Sequence, residues 1–208
     1  QRQMCIRDSY YTVLADHPRA ADLANQYVLL AREAADPILQ GQATSVRGST
    51  LLWQGKVEES RSLLEEAAAR LRPTADDPPQ AHAFQHAYVG VLAYLSFALW
   101  YLGEPRRALD CSREALEVAE RHDHPFSRAF AYGFDAALKT YLGFTAEARR
   151  SAEQSFLISS KFGFPFWLNI GRVLSGWTMA PDDVEEAVGR MRAGLDALQK
   201  AGVRIWTA

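Results

Sequence analysis

The chain has 208 residues, of which 48% are hydrophobic and 23% are charged, and its formal net charge is −2. This composition is typical of a globular domain or a repeat array with a substantial core. No apolar stretch approaches the ~18–20 residues that a membrane span requires. The near-neutral charge disfavours a nucleic-acid surface, which normally carries a basic excess. We therefore expect no membrane and no nucleic-acid partner.

Residues 1–9 read QRQMCIRDS and join the rest of the chain abruptly at Tyr10. They look like the in-frame translation of a sequencing-library adapter, so we predict a non-native tail and a single domain over residues 10–208. Cys5 and Cys111 have no spacing that indicates a disulfide framework or a zinc site. A reduced, cytoplasmic protein is the simplest expectation.

A helical pattern spans about residues 19–35, where Leu23, Ala24, Val28, Ala31 and Ala34 share one face. We interpret it as the second half of a helical hairpin. Next, Pro37 opens a helical segment, and Gly55 marks the point where that segment ends. Proline suits a first helical turn and glycine suits the left-handed end of a helix, so this pair predicts a hairpin with its turn at Gly55.

The segment from 70 to 83, RLRPTADDPPQAHA, interrupts the array with three prolines. Either about six residues are inserted here or the following helix is longer. The insertion could contact a partner, although a tolerated surface loop is the simpler interpretation. His82 and His86 have the spacing of a two-histidine metal pair, with Asp76 or Asp77 as a third ligand, but polar residues at a helix start explain them more simply.

The same punctuation recurs towards the carboxyl end of the chain. Gly143 follows Pro125, and Asp183 follows Pro165, at the same interval that separates Gly55 from Pro37. The two prolines Pro125 and Pro165 are separated by one period of the pattern, and a period of about 40 residues predicts a stacked array of helix pairs. Gly103 precedes Gly143 by that same period.

The acidic run at 181–186, PDDVEE, lies where the last of these hairpins should turn. A proline followed by acidic residues is typical of a capped helix start, because carboxylates accept hydrogen bonds from the unpaired N–H groups there. The run also resembles an acidic magnesium-binding motif, but that interpretation is less favoured.

The second helices repeat a pattern of small and apolar residues after each glycine. Their spacing resembles the tetratricopeptide skeleton, most clearly in the first of these hairpins, although the repeats here are longer than the usual ~34 residues. The resemblance implies an all-α, right-handed superhelical array of about four hairpins plus a leading helix. The positions that fit best are Gly48, Gly55, Ser60, Leu64 and Ala67.

Four phrases are more specific: HPFSRAFA at 124–131, GFPFWLNIG at 163–171, SGW at 175–177 and RMRAGLDALQKAG at 190–202. Together they resemble the helical-repeat region of bacterial AAA-type signal-transduction ATPases of the adenylate/guanylate cyclase-linked or transcriptional-regulator type. The resemblance implies a non-catalytic arm that takes part in signal transduction. Its partners would be a protein segment or the ATPase and output domains of the same polypeptide.

No phosphate-binding loop, nucleophile cluster or metal-ligand cluster is evident in the sequence, so we expect neither an enzyme nor a cofactor. His122, Asp123 and His124 lie in an expected turn, and no nucleophile partner is evident beside them. The alternative function is a sensor arm that binds a small-molecule effector in the concave groove of the array. A closed pocket would favour the sensor, whereas an open groove would favour protein binding.

Aromatic residues are dense in the first helices of the hairpins, where a solenoid lines its concave face. Most are expected to be core, and those that protrude form the candidate interaction surface. The candidates are Trp53, Tyr94, Phe130, Phe134, Trp167 and Trp177. After Gly202, the residues Val203, Ile205 and Trp206 start another apolar segment, so we expect a fragment that is truncated at both ends.

Overall fold

The computed structural model describes residues 10–73, 85–180 and 183–205. Within these ranges a helical turn at 10–13 precedes nine longer helices, and no strand occurs there. This confirms the all-α prediction. The helices are α1 (His17–Glu33), α2 (Pro37–Trp53), α3 (Val57–Leu71), α4 (Ala87–Tyr101), α5 (Pro105–Arg121), α6 (Pro125–Tyr141), α7 (Thr145–Phe162), α8 (Pro165–Met179) and α9 (Val184–Lys200).

Consecutive helices pair into the hairpins α2–α3, α4–α5, α6–α7 and α8–α9, with α1 packed against α2. Each hairpin also contacts the next one, because α2 touches α4, α4 touches α6, and α6 touches α8. Each first helix is thus covered by its own partner and by its neighbours in the array. This arrangement is a solenoid, in which the core continues from one hairpin to the next.

The predicted punctuation marks fall at the helix ends. Pro37, Pro125 and Pro165 each occupy the first turn of a helix. Gly55 and Gly143 follow first helices with φ of +76° and +79°, a left-handed conformation that glycine adopts without steric cost. These residues therefore set the hairpin turns where the sequence placed them.

The second helices pack through small side chains. In α5, for example, Ala108, Ser112, Ala115 and Ala119 are buried. Some of the serines among these small residues also donate hydrogen bonds to first helices. The Ser60 hydroxyl, for example, donates to the Gly48 carbonyl at 2.7 Å. A buried hydroxyl needs such a partner, and here the bond also joins the two helices of a hairpin.

The length of α4 distinguishes between the two alternatives for the 70–83 segment, an insertion or a longer following helix. This helix has 15 residues, against 17 in α2 and α6, so the extra residues lie between Leu71 and Ala87. Most of them, at 74–84, lie outside the described residues, as do the 1–9 tail and Trp206.

The apolar segment after α9 is covered in the structure. Val203 and Ile205 are buried, and the N–H groups of Arg204 and Ile205 both donate to the Val13 carbonyl, at 2.9 and 3.2 Å. The two ends of the described chain therefore meet, a contact that the sequence did not predict.

Candidate functional site

Five of the six aromatic candidates form one chain of ring contacts across all four first helices. Trp53 in α2 meets Tyr94 in α4 edge-to-face, with ring centroids 6.4 Å apart. Tyr94 meets Phe134 in α6 at 5.1 Å, and Phe130 stacks on Phe134 at 4.6 Å. Trp167 in α8 closes the series against Phe130 at 5.0 Å. We call these five residues the aromatic ladder.

The ladder is buried at one end and partly accessible at the other. Phe130, Phe134 and Trp167 are each less than 5% exposed, whereas Trp53 and Tyr94 are half-buried. The three buried rings, predicted as candidates for the groove surface, thus pack against neighbouring helices. The accessible part of the ladder is the Trp53–Tyr94 pair.

Close approach of α6 and α8 explains this burial. A Cβ atom on Gly133 would lie 2.6 Å from two ring carbons of Trp167, so only glycine leaves room for the indole. The flat ring fills the space between consecutive first helices, and Phe130 and Phe134 pack around it. Edge-to-face and offset contacts of this kind add stability beyond the area that they bury.

The sixth candidate, Trp177, stands apart from the ladder. Its side chain is 59% exposed on α8, although the residues at the same position one and two hairpins earlier, Ala137 and Phe97, are buried. Phe97 rests edge-to-face on Phe134 and Tyr141 of the following first helix, α6.

Known proteins share the helical-repeat fold. The tetratricopeptide-repeat family model matches residues 90–122, which cover most of α4 and all of α5. The crystal structure of BtubC (BKLC) from P. vanneervenii is 17% identical, with a TM-score of 0.67 over 96% of this chain and 79% of that one. No curated protein matches the chain.

A second solved structure, with a TM-score of 0.58, is that of a Podosopora anserina putative kinesin light chain with nearly identical TPR-like repeats. It is 16% identical, and the match covers 96% of this chain and 91% of that one. The fold is a TPR-like solenoid. TPR repeats are typically non-catalytic scaffolds for protein–protein interaction, and no catalytic family is indicated.

A buried carboxylate joins two hairpins of the TPR-like array. Asp135 in α6 is 1% exposed and accepts hydrogen bonds from the hydroxyls of Ser112 in α5 and Ser151 in α7. It also accepts from Lys139 Nζ at 2.7 Å, one turn along its own helix. The residues one and two hairpins earlier are Leu95 and Arg47. The network is therefore particular to this junction.

Histidines gather at the same junction, and here the structure corrects the sequence analysis. Ser127 Oγ lies 3.0 Å from His124 Nδ1, so the turn does have a serine beside its histidine. Ser127 is fully buried, and its Oγ accepts a hydrogen bond from the backbone N–H of His86 at 2.8 Å. His124 caps α6 by accepting the Ser127 N–H at 3.2 Å. The group is built to cap a helix and to join hairpins.

The metal hypothesis for His82 falls outside the described residues, together with Asp76 and Asp77. His86 directly precedes α4, and its ring is tilted by 39° against that of His122, with centroids 4.5 Å apart. In the part of the chain that the structure describes, no group of three or more histidine, cysteine or acidic side chains could hold a metal ion. None of the helices described is long and apolar enough to cross a membrane.

The described part of the acidic run, residues 183–186, lies at the start of α9 as the capping interpretation predicted. The Asp183 carboxylate accepts a hydrogen bond from the Glu186 N–H at 3.0 Å, and Glu185 and Glu186 occupy the first turn. Acidic side chains at this position also interact favourably with the helix dipole. Residues 181 and 182 lie outside the described ranges.

Proposed function

We propose that this chain is a protein-interaction scaffold that binds a protein segment at the accessible end of the aromatic ladder. The observation that carries the proposal is the Trp53–Tyr94 pair, two half-buried rings on consecutive first helices with centroids 6.4 Å apart. Tryptophan and tyrosine dominate the hot spots of protein interfaces, because each buries a large area at low entropic cost.

The buried part of the ladder supports this role by holding the accessible pair in place. Tyr94 rests on both Phe130 and Phe134, at 5.8 and 5.1 Å, and those rings rest on Trp167. A surface that is already ordered loses little side-chain entropy when a partner binds. The three buried candidates therefore act as the support of the binding surface.

The location of clefts favours a protein segment over a small-molecule effector. One cleft lies between α1, α2 and the start of α3 and includes Arg47, Gln54 and Glu59 in its lining. Another lies beside α5 and includes Arg72 and Glu114. Both linings are rich in charged and polar side chains and neither contains a ladder residue, whereas small-molecule pockets are mostly apolar and concave.

The context we propose is a larger signalling ATPase, in which the repeats bind either a separate protein or the ATPase and output domains of the same polypeptide. The support is the resemblance of the phrases at 124–131, 163–171, 175–177 and 190–202 to that class of protein. Sequencing the natural gene beyond both ends tests this context. A gene without an ATPase module would exclude it and would leave the scaffold proposal intact.

The binding surface can be tested with a displayed library of random peptides selected on the purified chain. Synthetic copies of the selected peptides are then titrated by calorimetry against the wild type and against Trp53→Ala and Tyr94→Ala. We expect about tenfold weaker binding to each variant, since truncating an aromatic hot spot costs more than about 1 kcal/mol.

The matched controls are Arg113→Ala and Glu117→Ala, which change exposed side chains of α5 away from the ladder. Circular dichroism establishes that each variant keeps its helices. Equal affinity for the ladder variants and the wild type would refute the proposed surface, as would a library that yields no binding peptide.

A further inference from the structure

A second aromatic surface lies at the hairpin turns, separate from the accessible end of the ladder. Tyr101 and Tyr141 are 53% and 49% exposed, and each stands just before the turn glycine of its hairpin, Gly103 or Gly143. They are therefore equivalent residues of consecutive repeats. We call Trp100, Tyr101 and Tyr141 the turn-edge patch.

The rings of the turn-edge patch are held by each other and by the core. Trp100 stacks on Tyr141 with centroids 4.6 Å apart and planes only 13° apart, and it contacts Tyr101 at 4.8 Å. Tyr141 in turn rests edge-to-face on the buried Phe97 at 6.0 Å. These contacts join α4 to α6, so large apolar rings are presented to solvent in a fixed arrangement.

The chemistry around the patch is neutral. The two helix ends, SFALWYLG at 96–103 and TYLGFTA at 140–146, contain no charged residue. The cation in the last turn of α6, Lys139, is already paired with Asp135 at 2.7 Å. The Glu104 carboxylate, which follows Gly103, is likewise paired, with Arg107 at 2.6 Å. The patch itself therefore offers apolar ring faces and hydrogen-bond donors.

Burial raises the pKa of both Tyr101 and Tyr141, and for Tyr141 the neighbouring Tyr101 phenol adds to this rise. Both phenols are therefore protonated at neutral pH and can donate hydrogen bonds, as can the indole N–H of Trp100. The matching partner is uncharged, packs well on flat rings and carries free acceptors.

We propose that the turn-edge patch binds a proline-rich segment in the polyproline II conformation. Such a segment is uncharged along its backbone, and its carbonyls are free because the conformation has no internal hydrogen bonds. Its pyrrolidine rings pack on aromatic faces, and its stiffness lowers the entropic cost of binding. This surface goes beyond the ladder site and does not depend on it.

The test is a calorimetric titration of the chain with an oligoproline peptide, with a glycine–serine peptide of equal length as the ligand control. We expect oligoproline to bind, and Tyr101→Ala and Tyr141→Ala each to weaken it about tenfold, the effect typical of a hot spot. Both side chains are half-exposed, so the fold should persist, which circular dichroism checks.

Phe162→Ala is the matched control, because it removes a comparably exposed aromatic ring, 46% exposed, from the end of α7, outside the patch. Its affinity for oligoproline should equal that of the wild type. Absence of oligoproline binding would overturn the proposal, and so would binding that the two tyrosine variants leave unchanged or stronger binding of an acidic peptide.

The outcomes also separate this proposal from the ladder site. If selected peptides lose affinity for Tyr94→Ala while oligoproline does not bind, the turn-edge proposal is wrong and the ladder proposal stands. If oligoproline binds through Tyr141 and no selected peptide responds to Tyr94→Ala, the reverse holds.

Discussion

Between α4 and α8, successive first helices meet through several aromatic rings, whereas the leading helix α1 packs on α2 through one buried tyrosine and two alanines. Tyr94, Phe130, Phe134 and Trp167 join three hairpins in the first region. In the second, Tyr27, Ala31 and Ala43 form a small cluster that is separate from the main core. The same hairpin unit is therefore joined in two different ways.

Large rings bury much more apolar area than alanines do, so the junctions from α4 to α8 should contribute more to stability. Small residues let helix backbones approach each other, but each buries little area, so substituting one removes less stability. The ladder residues at Trp53 and Tyr94 lie where the two regions join, so the proposed binding surface rests on the more strongly packed side. Five predictions test this contrast.

The largest loss of stability is expected for Trp167→Ala. The ring is buried against Phe130, Phe134 and Gly133, so its removal should lower the free energy of unfolding by about 3–5 kcal/mol. Urea denaturation measures the change. Trp177→Ala, which removes an exposed ring from the same helix, should cost less than about 0.5 kcal/mol. Equal losses in the two variants would contradict the packing described.

Asp135→Ala should follow, with a loss of about 2–3 kcal/mol, because it leaves the Ser112 and Ser151 hydroxyls without their carboxylate. Asp110→Ala is the control, since Asp110 forms an exposed ion pair with Arg113, and such pairs contribute about 0–1 kcal/mol. If both changes proved equally mild, the buried network would not stabilise the junction.

Glycine substitutions compare two close helix contacts, α7 with α8 and α2 with α3. A Cβ on Gly171 would lie 2.9 Å from the backbone nitrogen of Phe156, so Gly171→Ala should cost about 1–3 kcal/mol. A Cβ on Gly41 would meet the Leu71 side chain instead, also at 2.9 Å. Since a side chain at a helix end can move more easily than a backbone, Gly41→Ala should cost less.

Gly189→Ala controls for helix propensity in this comparison, because nothing lies within 4 Å of its Cβ position. It should stabilise the chain by about 0.5–1 kcal/mol, the usual gain of alanine over glycine in a helix interior. If Gly171→Ala is no less stable than Gly189→Ala, the backbones of α7 and α8 are not in the close contact described.

A smaller effect is expected in the amino-terminal region, where Asp36 caps α2. Its carboxylate accepts hydrogen bonds from the N–H groups of Ile38 and Leu39, at 2.8 and 3.2 Å, so Asp36→Ala should cost about 1 kcal/mol. Lys56 stands at the same position of α3 without a side-chain cap. Lys56→Ala should therefore change stability by less than about 0.5 kcal/mol, and a larger cost would argue against the capping account.

The last prediction concerns Cys111 in α5. Ionisation of its thiol should not affect stability at neutral pH, but it reports how the side chain is packed. Burial and then the nearby Glu114 raise the pKa of its thiol to about 11 from 9.0, so the reactive thiolate is scarce below that pH. The stability that this protonated thiol contributes should be lost as pH rises from about 9 towards 11.

In a Cys5→Ser variant, the alkylation rate at pH 8 should be about a hundredfold lower in the folded chain than in urea, because two pKa units separate the thiolate populations. Alkylation at equal rates in the two states would show that Cys111 is not packed as described.

How far the sequence predicted the fold depends on local signals. The proline and glycine positions act within one or two turns of a helix, so they fixed where α2, α6 and α8 begin and where the hairpins turn. The regular period of these marks then predicted stacking. The ladder residues were predicted from their aromatic type and their place in first helices, and neither tells which side of a helix its neighbours cover.

Tertiary structure alone decided three things. It buried Phe130, Phe134 and Trp167 while leaving Trp53 and Tyr94 half-buried, because the distance between first helices determines which rings solvent can reach. It brought the Ser127 hydroxyl to the backbone N–H of His86 across a hairpin boundary. It also stacked Trp100 on Tyr141, which belong to different hairpins. The sequence by itself determined the helices and their period, since those depend on neighbours along the chain, whereas every candidate surface depends on contacts between hairpins.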